Sequence, residues 1–180
     1  MPLGSHPYRI ASSSMEPTLS EGDIIVANRA EGACGSTHPI LGDVVLVRRD
    51  GFPWIRRVVA GPGQSVAFVA GELIVDGSRI HRESLGHDTA SDTFGARSVW
   101  TFRETLPNGR QYLTWDFGPG GDLDDRPEVV VPADHWFTLG DSRDNAIDSR
   151  VNGPTASGDL CGVVYSILQS SDVERAGKTP

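Results

Sequence analysis

The run Asp43–Gly63, DVVLVRRDGFPWIRRVVAGPG, sets the reading of the whole chain. It holds two short β-branched segments, Asp43–Arg48 and Trp54–Ala60, parted by Asp-Gly and Pro. Segments of this kind read as strands, because β-branched side chains suit a pleated, half-buried surface. The pattern continues outward on both sides, with Asp23–Asn28 (DIIVAN) before it and Ser65–Val69 and Leu73–Val75 after it. Ala70-Gly71 and Asp76-Gly77 read as turns, the second being the strong hairpin type. Arg97–Arg103 and Gln111–Phe117 form a further pair around Pro107-Asn108-Gly109, and Glu128–Val131, Trp136–Leu139 and Leu160–Leu168 complete the set. Many short strands with 21 Gly and 12 Pro indicate an all-β fold of coiled antiparallel sheets. Very little helix is expected, confined to short pieces after Ser14 and around Asp144–Arg150.

A chain of 180 residues makes one core, or one core with a small inserted β lobe. At that size about two thirds of the unfolded surface is buried, so neither disulfides nor metal are needed for folding. Sixteen Lys+Arg against 24 Asp+Glu give a net charge of −8. No basic stripe exists to neutralise phosphates, which argues against nucleic acid and against a polybasic membrane patch. Cys34 and Cys161 make neither a zinc site nor a disulfide framework, and pairing and free thiols both stay open. No apolar run approaches the length that spans a bilayer, and any membrane tether is expected outside this chain. Residues 1–7 read as a leader or disordered, Met1–His6 being polar and glycine-bearing. Glu83–Ala96 has no periodicity and reads as a loop or lobe connector, Gly118–Pro127 as flexible and exposed, and 169–180 as a disordered tail.

Three stretches carry chemistry-bearing residues. Ala11–Asp23, ASSSMEPTLSEGD, has capping-box spacing at Ser13 and Glu16, which fits a capped turn. It equally fits a serine hydroxyl presented beside backbone amides that could hold an oxyanion. Gly140–Arg150, GDSRDNAIDSR, offers Asp141, Asn145 and Asp148 as oxygen donors, but it lacks the spacing and central glycine of a calcium loop. An Asp148–Arg150 ion pair bracing a site fits better, since a carboxylate takes a guanidinium in bidentate geometry. In Trp54–Gly63 the adjacent Arg56 and Arg57 point to opposite faces of a strand, so that one can be solvated while the other points inward. An inward arginine needs a carboxylate to meet it, and the Asp-rich stretch supplies one.

Taken in order, these stretches resemble the type I signal peptidases, membrane-bound serine endopeptidases of the Ser/Lys-dyad kind. Ser12–Leu19 (SSSMEPTL) resembles that family's nucleophile segment, and Gly22–Val26 (GDIIV) and Gly42–Val47 (GDVVLV) its next strands. Ile55–Gly63 (IRRVVAGPG) resembles the segment of the general base, and Gly140–Arg150 the last motif. Glu104–Gly109 (ETLPNG) is similar to the non-catalytic lobe of Gram-negative members. The resemblance runs from about Ile10 to Ile167. It implies a catalytic domain over 8–168 with the lobe at about 77–134, Ser14 as nucleophile, and the Ser14 amide and Ser12 hydroxyl as oxyanion donors. It further implies Asp141, Asp148 and Arg150 in support and Met15 at a membrane-facing edge, with no cofactor and no metal. The implied partners are preprotein signal peptides, bound as an extended strand and cut after Ala-x-Ala, and the lipid bilayer surface. The implied location is the outer face of the cytoplasmic membrane.

Two positions depart from the family's pattern. The base lysine is replaced by Arg56, and the serine that orients it by Ala146. The single lysine, Lys178, lies in the tail. A buried lysine can drop its pKa far enough to accept a serine proton, whereas a guanidinium stays charged. None of His6, His38, His81, His87 and His135 falls in the motif. Three readings follow: a peptidase that works through an unrecognised base or is impaired by Arg56 at the base position, an inactive peptide-binding or scaffolding module of the same fold, and an unrelated β-rich adhesion or ligand-binding domain.

Overall fold

The computed structural model describes residues 5–28, 34–92 and 95–180. Its strands are β1 (Ser5–Arg9), β2 (Ile24–Asn28), β3 (Val44–Arg49), β4 (Phe52–Ala60), β5 (Ser65–Val69), β6 (Glu72–Val75) and β7 (Ser78–Arg79). Then come β8 (His81–Asp92), β9 (Gly95–Thr105), β10 (Gln111–Asp116), β11 (Arg126–Val130), β12 (His135–Leu139), β13 (Thr155–Ala156) and β14 (Leu160–Gln169). Among the described residues, helix is limited to α1 (Ser149–Asn152) and two 3-10 turns at Arg143–Asn145 and Ser157–Asp159. The all-β expectation holds. The segment after Ser14 forms turns rather than a helix, with Glu16 N donating to Ser13 O and Leu19 N to Met15 O. Pro17 has no N–H to extend them.

Among the described residues the named strands pair antiparallel, and one isolated parallel bridge joins Trp115 of β10 to Ser142. A seven-stranded sheet has the order β1-β2-β14-β3-β4-β12-β13, a four-stranded sheet β11-β5-β6-β7, and a three-stranded sheet β10-β9-β8. Alternation along β2 and β3 buries Ile25, Ala27, Val44 and Leu46 against Ile10, Met15 and Leu19, and β14 adds Val164 and Ile167 on either side of a register shift. A second cluster joins Val59, Phe137 and Leu139 to Val66, Phe68, Leu73 and Val75, so the β5–β6 hairpin shares a core with β4 and β12. The Asp76-Gly77 turn has both residues at positive φ (51° and 73°), the conformation that this dipeptide favours between hairpin strands. Cys34 and Cys161 form a disulfide that ties the loop after β2 to β14.

Three expectations are corrected. Glu83–Ala96 is no loop: its described residues lie in β8 and the start of β9, paired from His81↔Thr105 to Asp92↔Gly95 with a register shift between Ser84 and Gly86. These residues are mostly exposed, so the segment carries no burial period to betray a strand. The residues 169–180 fold back: Gly177 N donates to Ile167 O, Ile167 N to Lys178 O, and Arg175 pairs with the buried Asp23 at 3.3 Å. Backbone bonds to β14 and the charge pair of Arg175 together hold a stretch whose composition reads as tail. In the expected leader, residues 5–7 belong to β1 and pair with Val26–Asn28, while residues 1–4 lie outside the described residues.

Candidate active site

Ser14 sits in the turn between β1 and β2, buried in a cleft of about 340 Å³. One wall is Arg9–Ser12 with Met15. The other is the start of β4, Phe52–Arg56, and the floor includes Asn145 and Ile147. The turn is pinned to the Gly140–Arg150 loop, Ser142 N donating to Ser14 O and Asn145 Nδ2 to Ser13 Oγ. Gly140 makes this approach possible. A Cβ there would stand 2.7 Å from Ser14 O and 2.3 Å from the Ala146 Cβ, closer than atoms can pack. The Ser12 and Ser14 hydroxyls are 3.2 Å apart.

Arg56 reaches this cleft. Its Nη1 donates to Ser14 Oγ at 3.0 Å and to Ile55 O at 2.5 Å, while Nε and Nη2 both donate to Ile147 O. The guanidinium stacks on Trp54, 5.0 Å from the ring centroid, and is 7% exposed. Among the described residues it forms no ion pair. Burial lowers its pKa to about 10; Asp148 opposes that shift and Arg150 adds to it. It therefore remains a cation at neutral pH and cannot receive the Ser14 proton.

Arg57 turns to the opposite side of β4 but is not solvated, being 2% exposed. The expectation of one inward and one outward arginine is corrected, because β4 is covered on both faces here. Arg57 forks onto Asp141, Nε to Oδ1 at 2.8 Å and Nη2 to Oδ2 at 2.7 Å, and Nη1 reaches Gly42 O. Thr18 Oγ1 donates to the same carboxylate, and the Tyr112 ring lies 4.6 Å below the guanidinium. Burial works against the Arg57 charge, yet Asp141 outweighs it and the pKa is raised. Asp148 takes Arg150 in the expected bidentate pair, Nε to Oδ1 at 3.0 Å and Nη2 to Oδ2 at 2.8 Å, and also accepts from Gly140 N. With both carboxylates held by guanidinium groups, neither is free to act as a calcium ligand.

Met15, expected at a membrane-facing edge, is corrected: it is 2% exposed and packs in the core with Leu19 and Ile25. The apolar side chains left open beside the cleft are Phe52 and Ile147. No histidine lines the cleft, nor does Lys178. Among the described residues no group of His, Cys, Asp or Glu is placed to hold a metal ion.

A second buried cluster went unread in the sequence. Glu104, with no exposed surface, accepts from Tyr112 OH at 2.7 Å and pairs with Arg143 Nη2; Arg82 lies 3.6 Å from its other oxygen. This places a charge of the last motif against the β9–β10 pair. One signal was available, since Glu104 falls in step with Phe102 on β9 and lies directly opposite Tyr112 on β10.

The family profile described as signal peptidase, peptidase S26, matches residues 3–168. The signal peptidase I of Pseudomonas aeruginosa is 33% identical over 175 residues, covering 88% of this chain and 59% of that protein. The signal peptidase I of Rickettsia canadensis is 28% identical over 173 residues, covering 81% and 64%. A signal peptidase I crystal structure from Enterococcus faecalis aligns with TM-score 0.42 and 19% identity, over 71% of this chain and 97% of that one. The chain thus spans about three fifths of the length of the curated relatives it matches. Its ordered motifs and the profile match over nearly its whole length agree: the chain belongs to the signal peptidase family, peptidase S26.

Proposed function

We propose that this domain binds the signal-peptide region of preproteins as an extended strand across the Ser14 cleft, and that its hydrolysis after Ala-x-Ala is strongly impaired. The observation that carries this reading is the 3.0 Å contact from Arg56 Nη1 to Ser14 Oγ. A serine hydroxyl becomes a nucleophile only when a neighbour accepts its proton, and here the neighbour is a donor. The rest of the site supports binding. The cleft runs between two backbones, and such a groove takes a peptide through main-chain hydrogen bonds with shallow pockets for alternate side chains. Ser14 is the nucleophile position, Ser12 and the Ser14 amide the oxyanion donors, and Asp141, Asp148 and Arg150 the supports.

The apolar pair Phe52 and Ile147 beside the cleft suits a bilayer surface on which a signal peptide would be presented. The Cys34–Cys161 disulfide suits an oxidising compartment, hence the outer face of the cytoplasmic membrane. The test is cleavage of a quenched Ala-x-Ala peptide. The chain as it stands is expected to match its Ser14→Ala variant near background. Arg56→Lys combined with Ala146→Ser is expected to raise the rate by about 100-fold or more, the usual contribution of a positioned base. Ser14-dependent turnover by the unaltered chain would overturn the impairment, and no binding of the peptide would overturn the whole reading.

A further inference from the structure

Resting on that reading of the cleft, we infer that the Ser14 site is a receptor for the free C-terminal carboxylate of a peptide ending in a small residue, so that it favours cleaved peptide ends over intact chains. The argument begins with the charge of Arg56. A guanidinium has five N–H donors. Four hydrogen bonds are made, to Ile147 O twice, Ile55 O and Ser14 Oγ, all of them to uncharged oxygens. One N–H on Nη2 is left over, and among the described residues no carboxylate pairs with the group. Every other arginine buried beside this loop has its acid: Arg57 has Asp141, Arg143 has Glu104 and Arg150 has Asp148. A buried cation without a counterion is costly unless something anionic meets it. Arg56 is also the one among these four that lines the cleft.

The hydroxyls complete the receptor. Ser14 Oγ lies 3.0 Å from Arg56 Nη1 and 3.2 Å from Ser12 Oγ, so a hydrogen-bonded pair of hydroxyls and a guanidinium converge on one spot in a cleft walled by Ile10, Met15 and Trp54, with Arg9 and Asn145 also on its lining. An intact peptide bond placed there presents one carbonyl oxygen and one N–H. The N–H would face a guanidinium that has nothing to accept with. A terminal carboxylate presents two anionic oxygens instead, one for the serine hydroxyls and one for Arg56. Charge-assisted hydrogen bonds of this kind are about twice as strong as neutral ones. Arg56 therefore offers a permanent carboxylate partner at the point where a serine nucleophile would need a proton acceptor.

The experiment uses the protein as it stands, with three peptides titrated by calorimetry: one ending in Ala-x-Ala as the free acid, the same peptide as its C-terminal amide, and one continuing past the second alanine. The acid is expected to bind about 10- to 100-fold tighter than the amide, the range for hydrogen bonds to charged groups. Arg56→Gln is expected to bring the acid down to the level of the amide, while Arg56→Lys retains part of the difference. Equal binding of acid and amide by the unaltered protein overturns the inference, and that comparison needs no variant to fold. If the continuing peptide binds while acid and amide are equal, only this inference falls. If the acid binds tightly and the continuing peptide does not, this inference stands and the preprotein reading falls. Inorganic phosphate competing as strongly as the peptide acid would make the cleft a general anion site and overturn the peptide assignment.

Discussion

The two sides of β4 handle the same side chain in opposite ways. On one side Arg57 is closed into a network with Asp141, Thr18 and Gly42, its fork matched atom for atom by a carboxylate. On the other, Arg56 is nearly as deeply buried but is bonded only to carbonyls and a serine hydroxyl. The first arrangement holds the fold, tying β4 to the Gly140–Arg150 loop. The second holds a charge at the mouth of a cleft, where it decides what chemistry Ser14 can do. Burial by itself therefore separates nothing at this site; the presence or absence of a counterion does.

The largest expected effect comes from breaking the closed side. Arg57→Met leaves Asp141 buried without its partner, and removing one member of a buried ion pair costs about 3–5 kcal/mol. Arg56→Met strands no carboxylate. It loses four hydrogen bonds to uncharged groups but relieves an unpaired cation, so about 1 kcal/mol or less is expected. Urea unfolding of the two variants, compared at equal m-value, measures the difference directly. Equal losses would mean that Arg56 is held as firmly as Arg57, and the contrast between the two sides would be gone.

Much of the fold was legible because the central strands are β-branched runs whose side chains are buried. β2, β3, β4, β5 and β6 announce themselves by β-branched runs between turn residues, and each meets an apolar cluster. β8 did not, for the physical reason that a hairpin exposed along most of its length is held by backbone pairing, to which its side chains give no clue. The site was legible as a set of motifs. Ser14 and the Asp148–Arg150 pair follow from residue order and from carboxylate–guanidinium geometry. The pairing of Asp141 with Arg57 rather than Arg56 did not follow. Strand alternation says only that neighbouring side chains diverge, and it cannot say that both faces are covered. The Glu104–Arg143 contact was harder to read for a similar reason, since a charge is not marked for the interior and its cue is only the step with Phe102 along β9.

The smallest expected effect tests the same principle with the sign of the charge reversed. Asp144 lies in the Gly140–Arg150 loop, half-buried, and accepts from Phe117 N at 2.7 Å. Burial raises its pKa; the Phe117 amide opposes this, while the neighbouring Asp116 and Asp124 push it further up. As pH rises, the unfolded chain loses this proton first, so the folded state is penalised from the ordinary carboxylate range upward. The penalty is complete once pH passes the raised folded value. Asp144→Asn removes the charge and keeps an acceptor for Phe117. The variant is expected to be slightly more stable at neutral pH, by less than about 1 kcal/mol given the partial exposure, with the gain fading below about pH 4. Unfolding midpoints of both proteins across that range read the effect. A variant less stable than the parent at neutral pH would mean that the Asp144 carboxylate is favourably held, as Asp141 is, and that crowding among acids does not govern this end of the loop.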